Sequence, residues 1–175
     1  MEPVKLDRIV VIGCGGAGKT FLSNRLADLI GAPLTHLDSI YYDAEWNPLD
    51  ARDFAKVQRK LVSGDRWLIE GNYASTLPIR LGRADTVIFL DLHPLVCLAG
   101  IVQRRLRYRG GQHDNEGVYD RITPEFVRYI LGFRRSMRPR VLALLRDHGA
   151  NVLVVTLRTR KDVAQFVANL ESVLA

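Results

Sequence analysis

Gly13-Cys14-Gly15-Gly16-Ala17-Gly18-Lys19-Thr20 satisfies G-x-x-x-x-G-K-[ST] at every position, directly after an apolar run and directly before a helical pattern. Glycines let such a loop curl with its N–H groups inward, and the helix that follows adds the positive end of its dipole. A pyrophosphate is the anion this arrangement suits. Lys19 can bridge the outer phosphates and Thr20 can ligate the Mg2+ that neutralises them, so ATP and Mg2+ are the expected cofactors. The alternative is a glycine-rich turn that holds no nucleotide. Cys14 stands beside a helix N-terminus, where a thiol can be acidified, but a tolerated small residue is the preferred reading.

A phosphate loop needs a second half before it can be assigned a reaction. Trp67-Leu68-Ile69-Glu70 and the run ending at Asp91 both put an acid at the carboxyl end of a strand, where α/β sheets place their ligands. Glu70 is favoured as the magnesium-side acid, leaving Asp91 to cap or buttress the next helix. Asp38 ends another strand on the same edge; it can accept the proton of an acceptor hydroxyl or merely cap the following turn. His36 reads as packed rather than basic. Tyr41, Tyr42 and Trp46 can floor an acceptor pocket or pack their own loop down.

Ten arginines, no lysine and four acids lie between residues 101 and 140, so this stretch carries +6, the net charge of the whole chain. Arginine without lysine favours planar, bidentate recognition of phosphate or carboxylate. Two clusters, one ending at Arg109 and one from Arg134 to Arg140, flank the polar segment 112–122. A lid over about 104–123, closing on the transferring phosphoryl group, fits that placement. Arg104 and one of Arg134 or Arg135 are the leading functional candidates, and a solvated basic face accounts for about half of the arginines in the two clusters.

Positioning these groups takes alternating elements. Residues 8–12, 34–37, 67–70, 86–90 and 151–157 read as short β-branched strands. Helices are expected over 19–30, 51–62 with Asp50 as cap, 94–108, from Pro124 to about 148 with a break, and from about 160 to the end. The fold class is therefore α/β: a five-stranded parallel sheet covered on both faces, in the three-layer P-loop NTPase manner. With 175 residues, 47% hydrophobic and 25% charged, the chain reads as one domain spanning 1–175, able to bury a core without staples. Cys14 and Cys97 lack ligand spacing and exclude zinc ribbons and CxxC redox sites. Charges near the start, and Asp91 and His93 within the longest apolar run, argue against a signal peptide, a membrane span and secretion, so a cytoplasmic location is expected.

Taken in order, the glycine-rich loop, His36-Leu37-Asp38, Glu70-Gly71-Asn72-Tyr73, the strand ending at Asp91, the arginine run 104–109 and the late Arg134-Arg135 resemble the topology-modulation protein family, an adenylate-kinase-like group of P-loop proteins. The resemblance covers nearly the whole chain. It implies an acceptor-binding segment at about 38–64, an arginine-rich lid and, from the family's name, an effect on DNA supercoiling. Similarity to nucleoside monophosphate kinases implies the phosphate and metal roles of Lys19 and Thr20. It sets Glu70 where those kinases carry an aspartate, with Asn72-Tyr73 replacing Phe-Pro, Arg80 the nearest later arginine, and Gly100 near an adenine-stacking arginine position that Arg104 would have to cover. Asp38 looks like the acceptor-hydroxyl acid of shikimate and gluconate kinases, which implies a small polyol or acid.

Two functions follow as expectations. The first is Mg2+-dependent transfer of the ATP γ-phosphoryl group to a small-molecule acceptor, either a nucleotide or a hydroxylated metabolite. The second is a nucleotide-gated protein that uses its arginines on nucleic acid and influences DNA topology with weak or no ATPase activity. Convergence of acids on the phosphate edge and the lack of a helix-turn-helix module favour the first.

Overall fold

The computed structural model describes residues 5–43, 45–108 and 122–174. Five parallel strands form its sheet: β1 (Arg8–Gly13), β2 (Leu34–His36), β3 (Trp67–Glu70), β4 (Thr86–Leu90) and β5 (Leu153–Leu157), in the order β2-β3-β1-β4-β5. Eight helices accompany them among the described residues: α1 (Lys19–Ile30), α2 (Asp38–Tyr41), α3 (Ala51–Leu61), α4 (Leu77–Leu81), α5 (Pro94–Tyr108), α6 (Pro124–Gly132), α7 (Met137–His148) and α8 (Arg160–Leu174). The five parallel strands and their helices are the α/β class expected from the alternating pattern.

The reason for the central position of β1 lies in its composition. Ile9, Val10, Val11 and Ile12 are all fully buried, as are Val87 through Leu90 of β4, because both strands are covered on both faces and need side chains that are apolar without alternation. Parallel register sets Val11 opposite Glu70 and Gly13 opposite Leu90. It also sets His36 opposite Glu70. The carboxyl ends of β1, β2 and β3 therefore meet at one edge, with the glycine-rich loop leaving β1 at that edge.

Most helix boundaries follow local chemistry. Asp50 caps α3 by accepting from the Arg52 N–H at 2.8 Å, and Thr123 caps α6 by accepting from the Phe126 N–H at 3.2 Å, with Pro124 in its first turn. Gly31 ends α1 in a left-handed conformation, its N–H reaching the Ala27 carbonyl. Differences from the sequence reading are local. β2 stops at His36 because Leu37 already turns into α2, a helix too short to show periodicity. β5 begins at Leu153 because residues 149–152 form a turn closed by the Val152 N–H on the Gly149 carbonyl. α4 was not expected, its only signal being Pro78 near its start. Most of the expected lid, residues 109–121, lies outside the described residues, so its described part is the end of α5 together with Ile122 and Thr123 before α6.

Candidate active site

The loop from Gly13 to Thr20 passes close beneath α5. A Cβ on Gly16, whose φ is +77°, would lie 2.1 Å from the Cys97 carbonyl oxygen, and one on Gly100 would lie 2.2 Å from the Gly16 oxygen. Main chain thus packs on main chain, and only glycine at both positions permits it. Gly100, set by the resemblance near a stacking position, is accounted for by this approach. Phe126 of α6 covers Gly15 from above.

Cys14 is buried inside the loop. Its thiol hydrogen-bonds with that of Cys97, and this contact together with burial raises its pKa, so the helix N-terminus does not acidify it. The Cys14 carbonyl accepts from Lys19 Nζ at 3.2 Å, which holds the lysine folded back over the loop.

Glu70 is the meeting point of the strand ends. Its Oε2 lies 2.9 Å from His36 Nδ1 and its Oε1 lies 3.7 Å from Lys19 Nζ, with a hydrogen bond from the Thr20 hydroxyl as well. Burial alone would raise its pKa. The hydrogen bond from His36 and the charge of Lys19 outweigh that and hold the carboxyl below its usual range, so it is ionised at neutral pH. Asp91 stands elsewhere: it is buried and takes three hydrogen bonds of 2.8 to 2.9 Å from the Arg138 guanidinium, tying the end of β4 to α7. Of the two strand-end acids, Glu70 is the one beside the loop. Its partner His36, read from sequence as merely packed, lies in the same cluster. The available signal was that both residues end neighbouring strands.

Asp38 does not cap α2 with its side chain. Its Oδ1 accepts from the Tyr73 hydroxyl at 2.5 Å, and burial and the nearby Asp38 charge raise the Tyr73 pKa, so the phenol keeps its proton. Tyr41, Phe54 and Tyr73 pack ring against ring beneath, with centroids 4.8 to 4.9 Å apart. Trp46 lies 5.2 Å from Tyr42 and is held at φ 64° by a loop that Asp43 organises, accepting from the N–H groups of Glu45 and Asn47 at 3.0 and 2.7 Å. A left-handed tryptophan in so well bonded a turn is a constraint of the kind found at ligand sites.

Sequence gave no functional reading for Arg80. Its side chain is fully buried under residues 71–73, donating to the Gly71 carbonyl at 2.6 Å and to those of Asn72 and Tyr73 at 3.3 and 3.2 Å. Burial pushes its pKa down to about 9, partly offset by the Glu70 charge, so it is still cationic at neutral pH. Asn72 reaches across to α6, its amide nitrogen 3.2 Å from the Tyr129 hydroxyl. These two contacts fix the chain that follows Glu70.

The loop and the carboxyl ends of β2 and β3 open on one cavity of about 1470 Å³. Gly13 and the loop from Gly15 through Thr20 form its floor, with Asp38, Glu70, Asn72, Tyr73, Phe126 and Arg104 among its walls. Cys14 is buried behind the floor, and Arg134 and Arg135 are exposed residues that do not line the cavity. Thr20 and Glu70 offer hard oxygens, the donor type Mg2+ takes in ones and twos beside phosphate, and the glycine-built floor leaves room for an anion.

No family model and no curated protein sequence matches the chain, so the topology-modulation resemblance has no support from those comparisons. Solved structures do match. A sugar kinase from Janibacter sp., solved without ligand, shares 18% identity at a TM-score of 0.52, over 96% of this chain and 91% of its own. The shikimate kinase of Acinetobacter baumannii in complex with shikimate shares 18% at 0.54, over 98% and 94%. A gluconokinase from Sinorhizobium meliloti shares 18% at 0.56, over 97% and 91%. The chain has the P-loop α/β fold of these small-molecule kinases. Among the described residues no helix is long and apolar enough to cross a membrane.

Proposed function

We propose that the protein is a small-molecule kinase that transfers the γ-phosphoryl group of ATP, with Mg2+, to a hydroxyl-bearing acceptor. The observation that carries this reading is the joining in one cavity of the glycine-built loop, the Lys19–Thr20–Glu70 cluster and, across from them, Asp38 held by Tyr73. Phosphoryl transfer asks a protein for position and charge more than for covalent chemistry, and the cavity is built for both.

In this mechanism the N–H groups of the loop and the start of α1 hold the β-phosphate, and Lys19 leaves the Cys14 carbonyl to reach the β- and γ-phosphates. Thr20 and Glu70 would hold Mg2+, which supplies neutralisation of phosphate charge when bound. His36 fixes the Glu70 carboxylate through Oε2 and leaves Oε1 toward the loop. Asp38 receives the proton of the acceptor hydroxyl, with the Tyr73 phenol fixing its orientation. Arg104, on the cavity wall at the end of α5, is the arginine set to meet charge on the transferring group, and the segment of about 104–123 would cover it. The segment 38–64 is the acceptor side. The whole chain acts as one domain. No comparison supports the nucleic-acid reading.

Thermal unfolding of Lys19→Ala tests the phosphate assignment. Saturating MgATP should stabilise the parent by about 2.7 kcal/mol at a hundredfold excess over Kd, and the variant by almost nothing. Equal stabilisation of both would refute it.

A further inference from the structure

Carboxylates line the cavity on several sides, with Asp28, Glu125 and Glu171 beside Asp38 and Glu70, but its cations are unevenly placed along the sheet order, and their placement selects its occupants. Its cations are Lys19 and Arg25 on α1, Arg104 and Arg107 on α5, and Arg160 on α8. The last two helices follow β4 and β5, on one side of β1. The wall contributed from the β2 and β3 side consists of Asp38, Tyr42, Trp46, Glu70 and the stretch 71–74, and it holds two carboxylates and no cation.

Three polar side chains on or beneath that side are committed within the protein. Arg80 spends both terminal nitrogens on the carbonyls of residues 71–73 and has no exposed surface. The amide nitrogen of Asn72 is turned to Tyr129 and the Tyr73 hydroxyl to Asp38. The cations of α3, namely Arg52, Lys56, Arg59 and Lys60, are exposed and line no part of the cavity, while the buried faces of that helix are Phe54 and Gln58. What this side presents is a carboxylate and the rings of Tyr42, Trp46 and Tyr73, with Tyr129 and Phe126 opposite.

We infer that the acceptor is an uncharged, ring-shaped polyhydroxyl compound, a sugar or nucleoside, and not an acid or a phosphate ester. This rests on the kinase reading and narrows it. A carboxylate or phosphate on the acceptor would lie beside Asp38 with no described cation to pair it, at a desolvation cost it does not recover. Hydroxyl donors suit the Asp38 acceptor oxygens, and the apolar faces of a sugar or base suit the rings. The sequence resemblance allowed a polyol or an acid; the distribution of charge among the described residues favours the polyol.

The test uses the full chain and matched skeletons: an aldohexose, its alditol, its aldonic acid and its phosphate monoester, and a nucleoside with its monophosphate. Acceptor-dependent ADP release with MgATP gives kcat/KM, and quenching of Trp46 fluorescence without nucleotide gives binding, with Trp46→Phe as the control that loses the signal. The neutral member of at least one set should exceed its acid and phosphate partners at least tenfold in both readings. Asp38→Asn should reduce the neutral-to-acid binding ratio severalfold by removing the repelling charge. A ratio near one, or one favouring an acid or phosphate ester, overturns the inference and leaves the kinase reading standing. Bound MgATP with transfer to no member overturns the kinase reading and this inference with it.

Discussion

Glu70 and Asp91 show how two acids with the same sequence context acquire different work. Each ends a buried strand, yet one faces Lys19 and His36 and the other is enclosed by Arg138. The different surroundings predict different failures. Glu70→Gln keeps shape and removes charge, and should lower MgATP-dependent turnover roughly 10- to 100-fold with ATP affinity within a few-fold. Asp91→Asn should cost about 3 kcal/mol of stability, by stranding the Arg138 cation, with little change in turnover per folded molecule. Turnover and chemical denaturation of the two variants, measured together, decide between them; an exchanged pattern would make Asp91 the metal-side acid. At this scale Lys19 and Thr20 could be nominated from the glycine-rich motif, and Asp38 and Glu70 from acid type at the carboxyl ends of strands; the structure places all four on one cavity. His36 and Arg80 could not be so nominated, because their roles depend on which strand lies next to which and on which backbone carbonyls a guanidinium finds beneath a turn.

Among the elements, the long ones were legible and the short ones were not. α1, α3 and α5 carry periodicity or caps over two turns or more, whereas α2 has four residues and α4 five. Neither is long enough to be stable by itself, so tertiary contacts decide both. α4 matters because it carries Arg80 under the chain following Glu70. Arg80→Met, close in bulk but without donors, leaves three carbonyls unpaired and should cost about 3 kcal/mol. It should also raise the acceptor KM severalfold by loosening Asn72 and Tyr73, while MgATP binding at the loop stays near the parent value. Chemical denaturation and acceptor titration measure the two effects; a loss of stability with an unchanged acceptor KM would reduce Arg80 to packing alone.

The whole molecule is clasped at the end of the sheet opposite the cavity. Arg8, opening β1, donates to both oxygens of Asp85, just before β4, at 3.1 and 2.7 Å. The Arg8 hydrogen bond holds the Asp85 carboxyl below its usual range. A carboxyl depressed in the folded state adds stability above the unfolded value of about 3.9, and this is lost as pH falls through the lower folded value. Asp85→Asn should therefore lower Tm at pH 7 and flatten the fall of Tm below about pH 4. Parallel acid limbs in both proteins would show the pair to be inert. At this scale the two arginine clusters read from sequence are shared out by the helices that carry them: Arg104 and Arg107 of α5 face the cavity, Arg138 of α7 is spent on Asp91, and Arg128, Arg134, Arg135 and Arg140 are exposed. Linear density is not spatial density once three helices share it.

The packing of Gly16 against Gly100 makes α5 a lever with a fixed fulcrum. Two main chains in contact have no side chain between them to yield, so the helix can tilt on the loop but cannot sink into it. Seven residues beyond Gly100, Arg107 stands about 10 Å along the helix from that fulcrum, so a tilt of about 10° would swing it by about 2 Å. The reach of Arg104 and Arg107 is thereby set as an angle at the phosphate loop rather than as a depth.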